Sequence, residues 1–231
     1  MNYADIREEC LEANLKLPRT GLVDLTFGNV SVFDPQSACF AIKPSGVPYD
    51  KLRASGMIVV DLEGNVVDGT MHPSSDTPTH MKLYEAFSDR GVRAVVHTHS
   101  RCATAFAQAG MPIPCLGTTH ADHFHGPVPV TRPMSAEEVR GDYEYETGKM
   151  IVECFAGLNP LDMPATLVHG HGPFAWGASG ASAVENALAL EIVADMALKT
   201  LALNPSCAPL QDYMRDRHFY RKHGSQAYYG Q

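Results

Sequence analysis

Two histidines two residues apart end an apolar run, Ala94-Val95-Val96-His97-Thr98-His99-Ser100. In an extended strand alternate side chains share a face, so His97 and His99 project together while Thr98 points away. Paired imidazoles at a strand end suit a zinc-like ion, which takes neutral histidine nitrogen at roughly 2.0–2.1 Å. A second His-x-His, in Val168-His169-Gly170-His171-Gly172, closes another apolar run, and two such ends can converge on one ion. On spacing alone either His169 or His171 could be the third ligand, and His120, His123 and His125 are further candidates. Neither motif contains a cysteine, which argues against a closed, Cys-rich structural site. Three histidines with an open position are the catalytic pattern.

Anion binding is the second chemistry these residue types allow. Lys43-Pro44-Ser45-Gly46 and Ser74-Ser75 each set hydroxyls and free backbone N–H groups beside a turn or helix start. Unsatisfied N–H groups and the macrodipole attract phosphate there. The formal net charge is −8, so a phosphorylated substrate would need Lys43, this helix end and a metal to overcome it locally. The same balance, with no basic stripe, argues against nucleic acid as a partner. The His-Glu-x-x-His protease signature, a Gly-rich dinucleotide fingerprint and a Walker loop are absent. Metal catalysis without nicotinamide is therefore the default reading.

For these residues to meet, strand ends and helix starts must be brought together. Tyr3 to Leu17 carries Ile6, Cys10, Ala13 and Leu17 at near-helical spacing, which predicts a helix stopping at Pro18. Leu22–Thr26 and Val30–Phe33 read as short strands around Gly28-Asn29, and Cys39–Lys43 as a third. Met57–Asp61 and Val66–Val67 read as a hairpin about Glu63-Gly64-Asn65. Pro78, with capping Ser, Asp and Thr upstream, predicts a helix bearing Met81, Leu83, Tyr84 and Phe87. Further helices are expected at about Ser100–Gln108 (closed by Gly110), Thr147–Phe155, Ala181–Leu203 and Leu210–Lys222. Ser135-Ala136-Glu137-Glu138 is a capping-box pattern. Ala165–His169 reads as a strand, and another is expected after the titratable stretch Thr118–Gly126.

The chain has 231 residues, 45% hydrophobic and 19% charged, as in an ordinary globular protein. Without repeats, low-complexity blocks or a linker, one domain over residues 1–231 is expected. Short strands mixed with several helices point to α+β or α/β with a largely antiparallel sheet. The six cysteines form no Cys-x-x-Cys pair, which fits reduced thiols and a cytoplasmic setting. The N-terminus lacks the basic start and apolar core of a signal peptide. The apolar segment Ala181–Leu203 is interrupted by Glu185, Glu191, Asp195 and Lys199, so no membrane span is expected.

Taken together, several stretches resemble the class II aldolase/epimerase family, nearly end to end. They are Leu25-Thr26-Phe27-Gly28-Asn29-Val30-Ser31, Ile42-Lys43-Pro44-Ser45-Gly46-Val47, Ser74-Ser75-Asp76-Thr77-Pro78-Thr79-His80 and Val96-His97-Thr98-His99-Ser100. Gly117-Thr118-Thr119-His120-Ala121-Asp122, Leu167 to Phe174, Arg221-Lys222-His223-Gly224 and the tail Tyr229-Gly230-Gln231 complete the set. Phe27 departs from the pattern of the epimerase branch, which usually has Trp there.

The resemblance implies an α/β subunit, a single domain with a central, largely antiparallel sheet flanked by helices. It implies a homotetramer with active sites between neighbours and one zinc ion per subunit. His97, His99 and His171 would be ligands, with Asp76 a further ligand or a carboxylate close by. Gly28, Asn29, Lys43, Ser45, Gly46, Ser74 and Ser75 would hold the substrate, largely at its phosphate. Asp122 and, from a neighbouring subunit, Tyr229 would be the acid–base pair, with Glu144 and His218 in supporting roles. The implied reaction converts L-ribulose 5-phosphate to D-xylulose 5-phosphate by inversion at carbon 4. A zinc-dependent sugar-phosphate aldolase is the alternative within the family, and a metal-binding oligomeric non-enzyme the alternative outside it.

Overall fold

The computed structural model describes residues 3–224 together with Ala227 and Tyr228. Seven strands among them form one sheet: β1 (Asn29–Asp34), β2 (Cys39–Ile42), β3 (Ile58–Asp61), β4 (Val66–Asp68), β5 (Ala94–His97), β6 (Ala165–Leu167) and β7 (Pro173–Gly177). Their order is β4-β3-β2-β1-β5-β7-β6, and every neighbouring pair is antiparallel. The α-helices are α1 (Ala4–Thr20), α2 (Thr77–Phe87), α3 (Arg101–Ala109), α4 (Thr118–Ala121), α5 (Ala136–Arg140), α6 (Tyr143–Cys154), α7 (Gly180–Leu203) and α8 (Asp212–Tyr220). This is the expected α/β architecture with an antiparallel sheet. Among the described residues no helix is long and apolar enough to cross a membrane.

Side-chain alternation along β1 sorts the two faces of the sheet. Ser31 and Phe33 meet α2: the Ser31 hydroxyl lies 2.6 Å from Tyr84 Oη, and Phe33 stacks on the Tyr84 ring at 5.0 Å. Val30, of opposite parity, is tied to α1 through Asn14. That buried amide donates to the Val30 carbonyl at 2.9 Å and accepts from the Val30 N–H at 2.9 Å. Both polar groups of a buried backbone unit are thereby satisfied, as burial requires. Asn29, two residues before Ser31, belongs to the α2 face. It pairs in register with His97, which pairs on its other side with Phe174. Asn29, His97 and Phe174 therefore stand side by side on one face, at the end of the sheet where α2 begins.

Several local expectations are corrected by the tertiary structure. Leu22–Thr26 is not a strand; no partner lies beside it, and Leu25 turns outward at φ 55 with 81% of its surface exposed. The first helix runs past Pro18 to Thr20 and ends at Gly21 in the left-handed region, φ 73. Pro18 removes one N–H from the last turn without ending it. The stretch after Gly126 makes only isolated bridges, Val128 to Ile113 and Val130 to Leu167. Helix α6 begins at Tyr143 rather than Thr147, because the Asp142 side chain accepts from the Tyr145 N–H and starts the helix a turn earlier. Strand β7, Pro173-Phe174-Ala175-Trp176-Gly177, was not expected. All five residues are buried, so the strand carries no polar–apolar alternation to reveal it.

Candidate active site

Strand β5 stops at His97, and the chain turns through Thr98 and His99 into Ser100, the N-cap position of α3. His97 is 2% exposed and stacked on Phe174 at 4.2 Å. The Pro173 carbonyl can only accept, so the ring proton of neutral His97 sits on Nδ1 and donates to it across 3.0 Å. The lone pair of His97 Nε2 then faces His99 Nε2, 3.1 Å away. A backbone carbonyl that fixes the tautomer of a ligating histidine is a usual outer partner in metal sites.

His171 reaches the same point from the β6–β7 connection. That connection is a tight turn: the Val168 N–H bonds to the Gly172 carbonyl at 2.9 Å and the His171 N–H to the Val168 carbonyl at 3.0 Å. The turn sends His169 and His171 in different directions. His169 packs over Gly110 at the end of α3, whereas His171 joins His97 and His99. One ligand-capable nitrogen from each of these three rings lies within 4.8 Å of the others. Gly172 permits the approach, since a Cβ there would sit 2.9 Å from the Thr98 carbonyl oxygen. Burial, reinforced by the other two rings, holds the His171 pKa down at about 4, and burial likewise lowers that of His97. The lowered values favour neutral imidazoles with free lone pairs at His97 and His171, and three ring nitrogens so gathered fit a divalent ion of the zinc type.

Asp76 lies beside the histidines at the N-cap of α2. Burial pushes its pKa up, but His97, His80 and the Asn29 amide outweigh that and keep the carboxylate ionised. Asn29 Nδ2 donates to Asp76 Oδ2 at 2.6 Å and to Ser74 Oγ at 3.1 Å. Two backbone bonds lock the neighbouring loops together: Ser45 N–H to the His72 carbonyl at 2.9 Å, and Ser74 N–H to the Lys43 carbonyl at 3.0 Å. The two serine motifs thus become one cradle. Lys43 stands in its wall, 3% exposed, with Nζ 5.2 Å from the Tyr49 ring centroid. Burial lowers the Lys43 pKa, and Asp76 works against that fall. Gly28 adopts φ 78, and a Cβ there would meet the His97 carbonyl oxygen at 2.9 Å.

These residues line one pocket of about 330 Å³. Gly28, Asn29, Lys43, Ser45, Gly46, Ser74, Ser75, Asp76, His97, His99 and His171 all contribute to its wall, as does Glu144 from α6. Sequence reading overlooked Tyr143, which adjoins Glu144 and brings its hydroxyl to 3.4 Å from His171 Nδ1. A capping Asp142 just ahead of the helix was the signal that could have placed it. Phe27, where the epimerase branch usually has Trp, lies at the rim with its ring centroid 6.2 Å from that of His99.

Asp122 and His218 are not in that wall. Asp122 is the C-cap of the four-residue helix α4 and is gripped by the C-terminal segment. Arg221 reaches both its oxygens, at 3.1 and 2.8 Å, and His218 Nδ1 lies 3.1 Å from Oδ1. Tyr229 lies outside the described residues.

The match to the Class II Aldolase and Adducin N-terminal domain spans residues 8–198. A protein named L-ribulose-5-phosphate 4-epimerase UlaF, from Salmonella paratyphi B, is 51% identical over 226 residues, covering 98% of each chain. Among solved structures, an L-fuculose 1-phosphate aldolase superimposes with a TM-score of 0.80 at 25% identity, covering 96% of this chain and 97% of that one. The L-fuculose-1-phosphate aldolase of Thermus thermophilus shares the fold, with a TM-score of 0.68 at 24% identity over 89% of this chain and all of the other.

Proposed function

The chain belongs to the class II aldolase and adducin family, and from that premise we propose that it epimerises L-ribulose 5-phosphate at carbon 4. The product is D-xylulose 5-phosphate, formed by breaking and re-forming the bond between carbons 3 and 4. One class II aldolase-like domain over residues 1–231, in the cytoplasm, carries the activity. The observation that carries this reading is the convergence of three histidine lone pairs and an ionised Asp76 on one wall of a serine- and lysine-lined pocket.

His97, His99 and His171 would hold one zinc ion per subunit, with Asp76 as a further ligand or close neighbour. Bound there, the ion supplies Lewis acidity to the ketone oxygen and adjacent hydroxyl, which gain negative charge as the bond breaks. Lys43, the hydroxyls of Ser45, Ser74 and Ser75, and the backbone at Gly46 receive the phosphate. Gly28 and Asn29 hold the substrate against the ligands. The macrodipole of α2, positive at its start beside the cradle, adds to the attraction for the anion. Glu144 supports the pocket from α6.

Carbon 4 of a 2-ketopentose is not next to the carbonyl, so its C–H proton is too weakly acidic to be removed and returned. Hydride loss needs an acceptor, and no dinucleotide fingerprint occurs. Bond cleavage is the route left. A base takes the proton of the carbon 4 hydroxyl, and the C3–C4 electron pair stays with the three-carbon fragment. Carbon 4 becomes an aldehyde, which rotates and is attacked on its other face, and the new hydroxyl regains a proton. Asp122 and Tyr229, on opposite faces, serve as these two groups. The resemblance implied Asp122 from one chain and Tyr229 from its neighbour. Because Asp122 lies outside the wall of its own chain's pocket and is bound to the C-terminal segment, we propose instead that one protomer of a homotetramer offers both to a neighbour's pocket, with His218 as support.

Incubation of the zinc-loaded protein with L-ribulose 5-phosphate in deuterated water tests the reading. D-Xylulose 5-phosphate should form without nicotinamide and without solvent deuterium at carbon 4, and carbon-13 isotope effects should appear at carbons 3 and 4 if cleavage limits the rate. Deuterium at carbon 4 would rule the mechanism out. Release of the two fragments with no epimer would mark a sugar-phosphate aldolase instead.

A further inference from the structure

Arg221 is not among the residues lining the metal pocket, yet it reaches both carboxylate oxygens of Asp122, at 3.1 and 2.8 Å. We propose that Arg221 is a positioning residue that holds the Asp122 carboxylate turned so that Oδ2 is left to take the carbon 4 hydroxyl proton; this rests on the reading of Asp122 as an acid–base group.

The lone pairs of the carboxylate decide which oxygen is left for the substrate. Oδ1 accepts from Arg221 Nε at 3.1 Å and from His218 Nδ1 at 3.1 Å, which uses both of its acceptor positions. Among the described residues, the hydrogen bond to Oδ2 comes from Arg221 Nη2, at 2.8 Å, which leaves its second acceptor position for the substrate. Two parallel N–H···O bonds from a planar guanidinium fix the rotation of the carboxylate as well as its position. The backbone is held too, since His223 Nε2 donates to the Asp122 carbonyl at 3.0 Å. The His223 ring is stacked on buried Phe219 at 4.4 Å. A carboxylate so constrained loses little orientational freedom when the substrate arrives, which is the gain a positioned base offers over a mobile one.

The surrounding charges act in the same sense. Arg221, His218, Lys222 and His223 face Asp122 from α8 and the segment after it. His123 adjoins it in the chain, and from α7 Glu185 faces His123. Partial burial pushes the Asp122 pKa up, but the Arg221 and His218 hydrogen bonds and the charges of Arg221 and Lys222 outweigh it and hold it below the usual carboxylate range. The group is thus unprotonated when it must accept a proton. Lysine at this position would keep the charge but lose the fork.

The test uses the full-length, zinc-loaded protein and the variants Arg221→Ala and Arg221→Lys, with circular dichroism and zinc content as controls. In Arg221→Ala, kcat should fall about 10²-fold, at the lower end of what a positioned acid–base group contributes. KM should change little, because the phosphate cradle is untouched. Guanidinium ion added to the buffer should restore part of kcat, and Arg221→Lys should lie between. The acid limb of kcat/KM should move to higher pH in Arg221→Ala, because the carboxylate has lost the cation that kept its proton off. A raised KM with unchanged kcat would overturn the proposal in favour of a substrate-binding arginine. An unmoved acid limb with no guanidinium rescue would overturn it in favour of a purely structural role. Full turnover by Asp122→Asn would instead remove the acid–base reading and the proposal with it.

Discussion

At the scale of single residues, the histidine cluster rests on how closely backbone and rings can approach. His99 belongs to no helix or strand, so its loss should spare the fold. In His99→Ala, zinc content measured on the purified protein should fall far below that of the unmodified chain while circular dichroism is unchanged. A full complement of zinc in this variant would sink the ligand set. Gly172→Ala makes the complementary case. The added Cβ would crowd the Thr98 carbonyl oxygen at 2.9 Å, between the two β5-end histidines. The strain should cost about 1–3 kcal/mol in urea unfolding, with zinc affinity weakened although no ligand is changed. The two substitutions separate loss of a donor from loss of its placement.

At the scale of elements, two attachments matter: the start of α3 and the docking of α8. Ser100, the N-cap of α3, makes no side-chain capping bond, and the task falls to Glu191 of α7. Its two oxygens accept from the Cys102 and Ala103 N–H groups at 2.8 and 2.9 Å. Glu191→Ala should cost about 1–2 kcal/mol, the worth of a partly buried cap, readable in the midpoint of urea unfolding. Docking of α8 depends on Asp122. Its folded pKa lies below its unfolded value of about 3.9. The stabilisation is therefore complete above that value and is lost as pH falls through the folded pKa. Hydrogen exchange over 212–224, corrected for intrinsic rates, should show protection falling in the acid range below about pH 4. Asp122→Asn should show reduced protection already at neutral pH and no such acid step.

At the scale of the whole molecule, the histidine cluster and the Asp122 clamp occupy different places on one chain. A protomer that lends its tail to a neighbour would lend Asp122 with it. Mixed oligomers test this. A form lacking Tyr228–Gln231 combined with His99→Ala should regain activity, since zinc from one protomer meets an intact tail from the other. The same truncated form combined with Asp122→Asn should stay inactive, because both lesions fall on the lending side. Recovery in this second mixture would place Asp122 in the pocket of its own chain.

The sequence by itself offered the candidate chemistry of the site: which residue types could hold a metal or a phosphate, and which strand end and helix start would carry most of them. These signals are local. Alternation set His97 against Thr98, capping residues marked the start of α2, and the family resemblance named His171 where spacing left His169 open. Only the tertiary structure decided what depends on non-local pairing. It turned the second His-x-His into a hairpin so that His169 and His171 part. It joined two serine motifs about 30 residues apart through backbone bonds that no side chain records. It also hid a wholly buried strand, because burial on both faces erases the alternation by which a strand is read. Asp122 shows the same limit, since its partners lie 96 to 101 residues away along the chain, and folding alone could bring them together.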